Sequence, residues 1–135
     1  MTMPASPQRH ILVVDDEPLL CEAIKMMLEF DGYAVETARS AKDALAILDK
    51  GNFDLVLTDF EMPIMKGDEM AAHIKARDPK QPVVLITAHA ETLRAAGKPL
   101  KSIDLMIGKP FLWENLREAI AKVIPVVAEG RAEAN

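Results

Sequence analysis

Short apolar runs alternate along this chain with longer segments whose apolar residues recur every three or four positions. The run "HILVV" (10–14) has the length and character of a strand. Pro18 suits the first turn of a helix in which Leu19, Leu20, Ala23, Ile24, Met27 and Leu28 return at helical spacing, with Gly32 as the stop. "YAVET" (33–37) reads as a second strand. Ser40 and Asp43 form a capping pair for a helix continued by Ala44, Leu45, Ile47 and Leu48 and closed by Gly51. "DLVLT" (54–58) is a third strand, and the loop "DFEMPIMKG" leads from it to a helix at about 67–77, ended by Pro79. "VVLIT" (83–87) and "IDLMI" (103–107) are the fourth and fifth strands. Between them Gly97 and Pro99 interrupt "HAETLRAAGKPLKS". A proline inside a helix costs about 3 kcal/mol, so any helix there is confined to about 90–96. A last helix, from about 111 to 124, buries Leu116, Ile120 and Val123.

Strands alternating with helices predict an α/β fold: a parallel sheet covered on both faces, three layers in all. The runs "ILVV", "LVL" and "VVLI" are apolar without alternation and belong in the centre, whereas Glu36 and Asp104 mark two edges. Right-handed crossovers then give a doubly wound sheet in the order 2-1-3-4-5. Such a sheet binds ligands beyond the C-terminal ends of its strands, where the winding reverses.

The residues after each strand therefore carry the chemistry. Asp15, Asp16 and Glu17 follow the first strand, Asp59 the third, and Gly108 and Lys109 the fifth, while Thr87 ends the fourth. Each has a bland reading alone: a turn or cap for Asp15, an ordinary strand residue for Thr87, a snorkelling side chain for Lys109. Together Asp15, Asp16 and Asp59 place three carboxylates on one rim with a hydroxyl and an ammonium. Crowded carboxylates resist ionising, and one lysine offsets only part of their charge. An oxygen-preferring divalent cation such as Mg²⁺ would supply the rest, and no His or Cys cluster argues for zinc. A cation, a lysine, a hydroxyl and a carboxylate suggest phosphoryl transfer, with the carboxylate as nucleophile.

Composition narrows the setting. At 135 residues the chain is about one domain, expected at 9–125 between flexible ends at 1–8 and 126–135. A net charge of −5, with the 16 basic residues scattered, argues against direct nucleic-acid binding. No apolar stretch approaches the ~20 residues that span a bilayer, and the N-terminus lacks a signal peptide's apolar middle, so a cytoplasmic location is expected. The single cysteine, Cys21, reads as a small core residue.

The motifs "VVDDEP", "LTDFEMPIMKG", "LITA" and "GKPF", in this order and spacing over about residues 9–125, resemble the receiver domain of bacterial two-component response regulators. The resemblance implies a flavodoxin-like (βα)5 fold, most like the single-domain, chemotaxis-regulator type. It implies Asp59 as phosphoacceptor and a Mg²⁺ site of Asp16, Asp59 and the backbone carbonyl of Glu61, with Asp15 assisting through water. It places Thr87, the backbone of Ala88 and Lys109 on the phosphoryl oxygens, and a cis peptide before Pro110. The phosphate donor would be a histidine kinase or a histidine phosphotransfer protein. Output would pass to an unidentified downstream protein or onward in a relay, since no room for an output domain follows residue 125. Whether the chain stands alone or is cut from a hybrid kinase, and whether it forms a homodimer, stays open.

This chain departs from the family at several places. Met106 stands where the family often has a Tyr or Phe that reports the switch, and reads as core filler. The 90–102 segment is expected to be flexible or rearranged. Glu61 and His89 hold positions that the family varies to tune phosphate lifetime, with His89 read as a solvated loop residue. His10 and His73 show no acid–base partner, and no chemistry is read into Lys66. Met62, Met65 and Met70 line the loop and core, and Trp113 is either a contact residue or packing. Two other functions share these residues: a Mg²⁺-dependent hydrolase using Asp59 as nucleophile, and a docking module that never carries phosphate. The first lacks a second Asp two residues after Asp59, where Glu61 stands. The intact acid–threonine–lysine set argues against the second.

Overall fold

A computed structural model describes residues 8–96 and 100–124. Its elements alternate: β1 (His10–Val14), α1 (Pro18–Phe30), β2 (Ala34–Ala38), α2 (Ala41–Lys50), β3 (Leu55–Asp59), α3 (Gly67–Arg77), β4 (Val83–Thr87), α4 (Ala90–Ala95), β5 (Leu105–Gly108) and α5 (Trp113–Val123). The strands form one sheet in the order β2-β1-β3-β4-β5, with every pairing parallel. This is the doubly wound three-layer arrangement expected from the alternation.

Successive strand residues point to opposite faces. Ile11, Val13, Leu55, Leu57, Val84, Ile86 and Ile107 join α1 and α5 in one core cluster. Leu12, Val14, Val56 and Val83 join α2 and α3 in the other. In the three strands between the edges every position but His10 is buried, because both faces are covered, and the buried polar exceptions Thr58, Asp59 and Thr87 lie at the C-terminal ends. Cys21 is a buried member of the first cluster, as expected. Ser40 caps α2 by accepting the Asp43 N–H at 3.0 Å. Gly32 follows α1 at φ +100°, a region that side-chain-bearing residues rarely adopt.

The structure corrects several expectations. The buried face of α1 is Cys21, Ile24 and Leu28, whereas Leu19 is 86% exposed and Ala23 also faces solvent. The helical period there was genuine, but two apolar stripes share it, and only one meets the sheet. β2 and β3 each run one residue later than their apolar patterns imply, so Asp59 ends its strand rather than following it. β5 begins at Leu105, two residues late, because the Asp104 side chain, and not a strand carbonyl, takes the Val83 N–H. Its Oδ2 accepts the N–H of Val83 and the Lys75 ammonium, each at 2.7 Å. Asp54 plays the same part before β3, where it accepts the N–H of His10 at 2.8 Å and pairs with Arg9 at 3.2 Å. Each acid satisfies the first donor of the neighbouring strand, at the rim opposite the predicted site.

α4 is as short as the interruptions predict, ending at Ala95. The remainder of the expected 90–102 irregularity falls partly on residues 97–99, outside the described residues. The expected ends likewise lie outside, except Gln8, whose side-chain amide donates to the Gly32 carbonyl at 3.1 Å. Trp113 packs edge-on against Phe111, with ring centroids 5.8 Å apart, beside the first core cluster. Met62 and Met70 are buried in the second cluster, and Met65 packs against it. No helix among the described residues is long and apolar enough to cross a membrane.

Candidate functional site

Three strand ends deliver the predicted side chains to one place. β1 stops at Val14, and the turn that follows presents Asp15 and Asp16. Asp15 is 2% exposed, and its Oδ1 accepts the Glu17 N–H at 2.8 Å, which fixes the turn into α1. Asp59, 5% exposed, stands next to it at the end of β3. Ligand oxygens of Asp15, Asp16 and Asp59 all lie within 4.8 Å of one another. Lys109 arrives from the end of β5, where its N–H bonds the Thr87 carbonyl at 2.8 Å and its peptide bond to Pro110 is cis. Its Nζ is 3.0 Å from Asp59 Oδ1 and 3.7 Å from Asp15 Oδ2. The lysine that ends an apolar strand thus has its counter-charges.

Burial governs the electrostatics. Removal from water pushes the Asp59 carboxyl up to about 6; the Lys109 hydrogen bond opposes this, and the charges of Asp15 and Glu61 add to it. Burial likewise raises Asp15, against the Glu17 N–H and Lys109. For Lys109 burial acts downward, but the hydrogen bond to Asp59 and the charges of Asp59, Asp15 and Glu17 outweigh it, so its ammonium is held above the ordinary range. Two buried acids and the exposed Asp16 face one cation, a surplus of negative charge. Clustered oxygens with that surplus fit a hard divalent ion such as Mg²⁺.

Thr87 is fully buried at the end of β4 and accepts the His89 N–H at 2.9 Å. Its hydroxyl donates to Glu61 Oε2 at 3.4 Å, and His89 Nε2 lies 3.5 Å from the same oxygen. His89 is an exposed loop residue, as its position suggested, with its ring in contact with Glu61. Ala88 is exposed in the turn between them. Met106 sits half-buried in β5, away from these contacts, and its carbonyl accepts from Arg94 at 3.4 Å. His10 lies tilted beside Phe53, with ring centroids 6.3 Å apart, at the opposite rim. Lys66 lies 5.5 Å from the centre of the Phe60 ring.

Two features escaped the sequence. One is the contact of Glu61 with both Thr87 and His89. The other is Gly67, where a Cβ would fall 2.3 Å from the Asp59 carbonyl oxygen and 2.9 Å from Leu85 Cδ1. The available signal was a glycine as the first residue of a helix, a residue type that helices disfavour. Only glycine lets α3 start against the backbone of the acid itself.

The family model for the response regulator receiver domain matches residues 11–121. Among curated proteins, the chain is 37% identical over 125 residues to the transcriptional regulatory protein ZraR of Salmonella typhimurium, covering 91% of this chain and 28% of that protein. It is 31% identical over 129 residues to the transcriptional regulatory protein GlrR of Escherichia coli, covering 93% and 29%. The chain thus spans under a third of the length of these relatives. Among solved structures, the receiver domain protein of Clostridium thermocellum superposes with a TM-score of 0.79 at 32% identity, covering 87% of this chain and 94% of that one. The response regulator TrrA of Thermotoga maritima, solved in complex with Mg²⁺ and BeF, gives 0.75 at 34% identity, covering 86% and 99%.

Proposed function

This chain belongs to the response regulator receiver family, and from that premise we propose that Asp59 accepts a phosphoryl group from a phosphohistidine donor. The observation that carries the reading is the Lys109 ammonium 3.0 Å from Asp59, inside a cluster of three carboxylates. Lys109 holds the carboxylate through Oδ1, and one of its two oxygens is the nucleophile. The new O–P bond forms in line as the donor's P–N bond breaks, and the electron pair leaves on the imidazole nitrogen, which takes up a proton. The product is an acyl phosphate on Asp59. Lys109 remains close enough to neutralise a phosphoryl oxygen, and the Thr87 hydroxyl and the Ala88 N–H are the neighbouring donors on that side.

Asp16, Asp59 and the Glu61 carbonyl would hold Mg²⁺, with Asp15 acting through water; when bound, the ion supplies charge neutralisation for the transferring group. The TrrA complex supports this choice of ion by likeness. Phosphorylation and dephosphorylation are self-catalysed in this reading, and no separate metabolite is turned over. A histidine kinase or histidine phosphotransfer protein is the donor, and a downstream protein reads the change.

Incubation with Mg²⁺ and acetyl phosphate, followed by mass spectrometry, tests the assignment. One stoichiometric phosphoryl group, absent in Asp59→Asn, is the expected result. Full labelling of that variant would remove Asp59 as acceptor, and steady release of phosphate from many esters would favour a hydrolase instead.

A further inference from the structure

A threonine hydroxyl has one proton to donate. In Thr87 that proton points to Glu61 Oε2 at 3.4 Å, while the oxygen accepts the His89 N–H at 2.9 Å. The hydroxyl is turned toward Glu61 over a long contact, and its single proton serves a phosphoryl oxygen on Asp59 only by leaving that contact. Glu61 is anchored two residues beyond Asp59, on the loop after β3, whereas Thr87 and His89 belong to β4 and the turn after it. Its carboxylate thus ties two loops together over the acid. The same Oε2 is 3.5 Å from His89 Nε2, an exposed ring that remains within reach if Thr87 departs.

We propose that Glu61 is a positioning residue whose carboxylate competes with the phosphoryl group for the Thr87 hydroxyl, with the His89 ring as its second seat. This rests on the reading of Thr87 given above. Glu61 then sets how readily the phosphorylated arrangement forms, separately from whether Asp59 reacts. Its backbone carbonyl is untouched by changes in its side chain, so the proposed ion ligand survives substitution.

Beryllofluoride, titrated at saturating Mg²⁺ and followed by fluorine NMR, measures the competition. Glu61→Ala is expected to lower the half-saturating concentration about 3- to 10-fold, the worth of one part-buried hydrogen bond. Removing a nearby negative charge would act in the same direction, so the decisive comparison is made in a Thr87→Ala background. There the effect of Glu61→Ala should shrink below about 2-fold, because no hydroxyl remains to release. An equal effect in both backgrounds makes Glu61 a bystander charge and overturns the proposal. His89→Ala should raise the half-saturating concentration about 2-fold by leaving Glu61 a single partner; no change would remove the second seat. A readout without any phosphoryl analogue separates this idea from the acceptor assignment. In the unliganded protein, Glu61→Ala should shift the Thr87 methyl signal and speed exchange of the His89 amide. Unmoved Thr87 and His89 signals sink the competition whatever Asp59 does. A parent protein that binds no beryllofluoride counts against the acceptor assignment alone.

Discussion

The Nζ of Lys109 lies 3.0 Å from Oδ1 of Asp59, a contact closed across 50 residues of sequence. It joins the last strand of the sheet to its centre, and it sets one cation against two buried carboxylates. Most of the testable behaviour of this protein follows from that imbalance.

Lys109→Met should push the Asp59 carboxyl above its value of about 6, because the group opposing burial is lost. Carbon-13 NMR of the side-chain carboxyl measures it directly. At pH 8 the same variant should lose about 1–3 kcal/mol of stability, less than for a fully buried pair because Lys109 keeps some water. An unchanged Asp59 titration would mean that the lysine does not act on it.

An Asp59 carboxyl raised from 3.8 to about 6 is held by the folded state in its protonated form more readily than by the unfolded chain. Folding therefore takes up a proton between these values, and stability falls as pH rises through that window. Burial of Asp15 works with the same sign. Asp59→Asn removes the larger contribution. In the absence of divalent ions it should exceed the parent by about 1–3 kcal/mol above pH 7, and the gain should vanish below about pH 4. Urea denaturation across pH is the measurement, and a pH-independent difference would refute the cause given.

Mg²⁺ should raise the melting temperature of the parent and not of Asp16→Ala, whose exposed carboxylate contributes to the cluster. An ion at about a hundred times its dissociation constant adds about 2.7 kcal/mol if it binds only the folded state. That corresponds to roughly 10 °C for a domain of this size. At pH 5 the gain should be smaller, since the ion must then displace a proton from Asp59. Equal shifts in both proteins would place the ion elsewhere.

Gly67→Ala and Gly32→Ala should differ in kind. The first puts a carbon against the Asp59 carbonyl, a clash with backbone that cannot yield cheaply. It should cost about 1–3 kcal/mol or more and also depress phosphorylation of Asp59. The second meets nothing within 4 Å and bears only the strain of φ +100°, about 1–2 kcal/mol, without effect on phosphorylation. Denaturation midpoints and acetyl phosphate labelling together distinguish them.

Much of this arrangement was legible in the chain because its signals are local or additive. The apolar runs located every strand, and Glu36 within β2 marked one edge; β5 was placed at the other edge correctly, though Asp104, which suggested it, lies just before that strand. The carboxylates, Thr87 and Lys109 could be gathered on one rim since a parallel sheet puts all its strand ends there. Contacts that depend on side-chain direction could not be read this way. Leu19 and Ile24 share a helical period, yet they lie on opposite sides of α1, and periodicity alone does not say which side meets the sheet. Asp104 looked like part of an edge strand because its bond to the Val83 N–H is a meeting across 21 residues. The contact of His89 with Glu61 is of the same sort, since it joins two loops whose approach only the folded sheet decides.

The absence of a side chain at Gly67 leaves α3 seated directly on the peptide of the acid that is proposed to react. Interiors this dense behave as stiff solids, so there is no slack at that junction. A shift of the Asp59 main chain toward α3 would meet the first turn of that helix directly, with no side chain between them to absorb it.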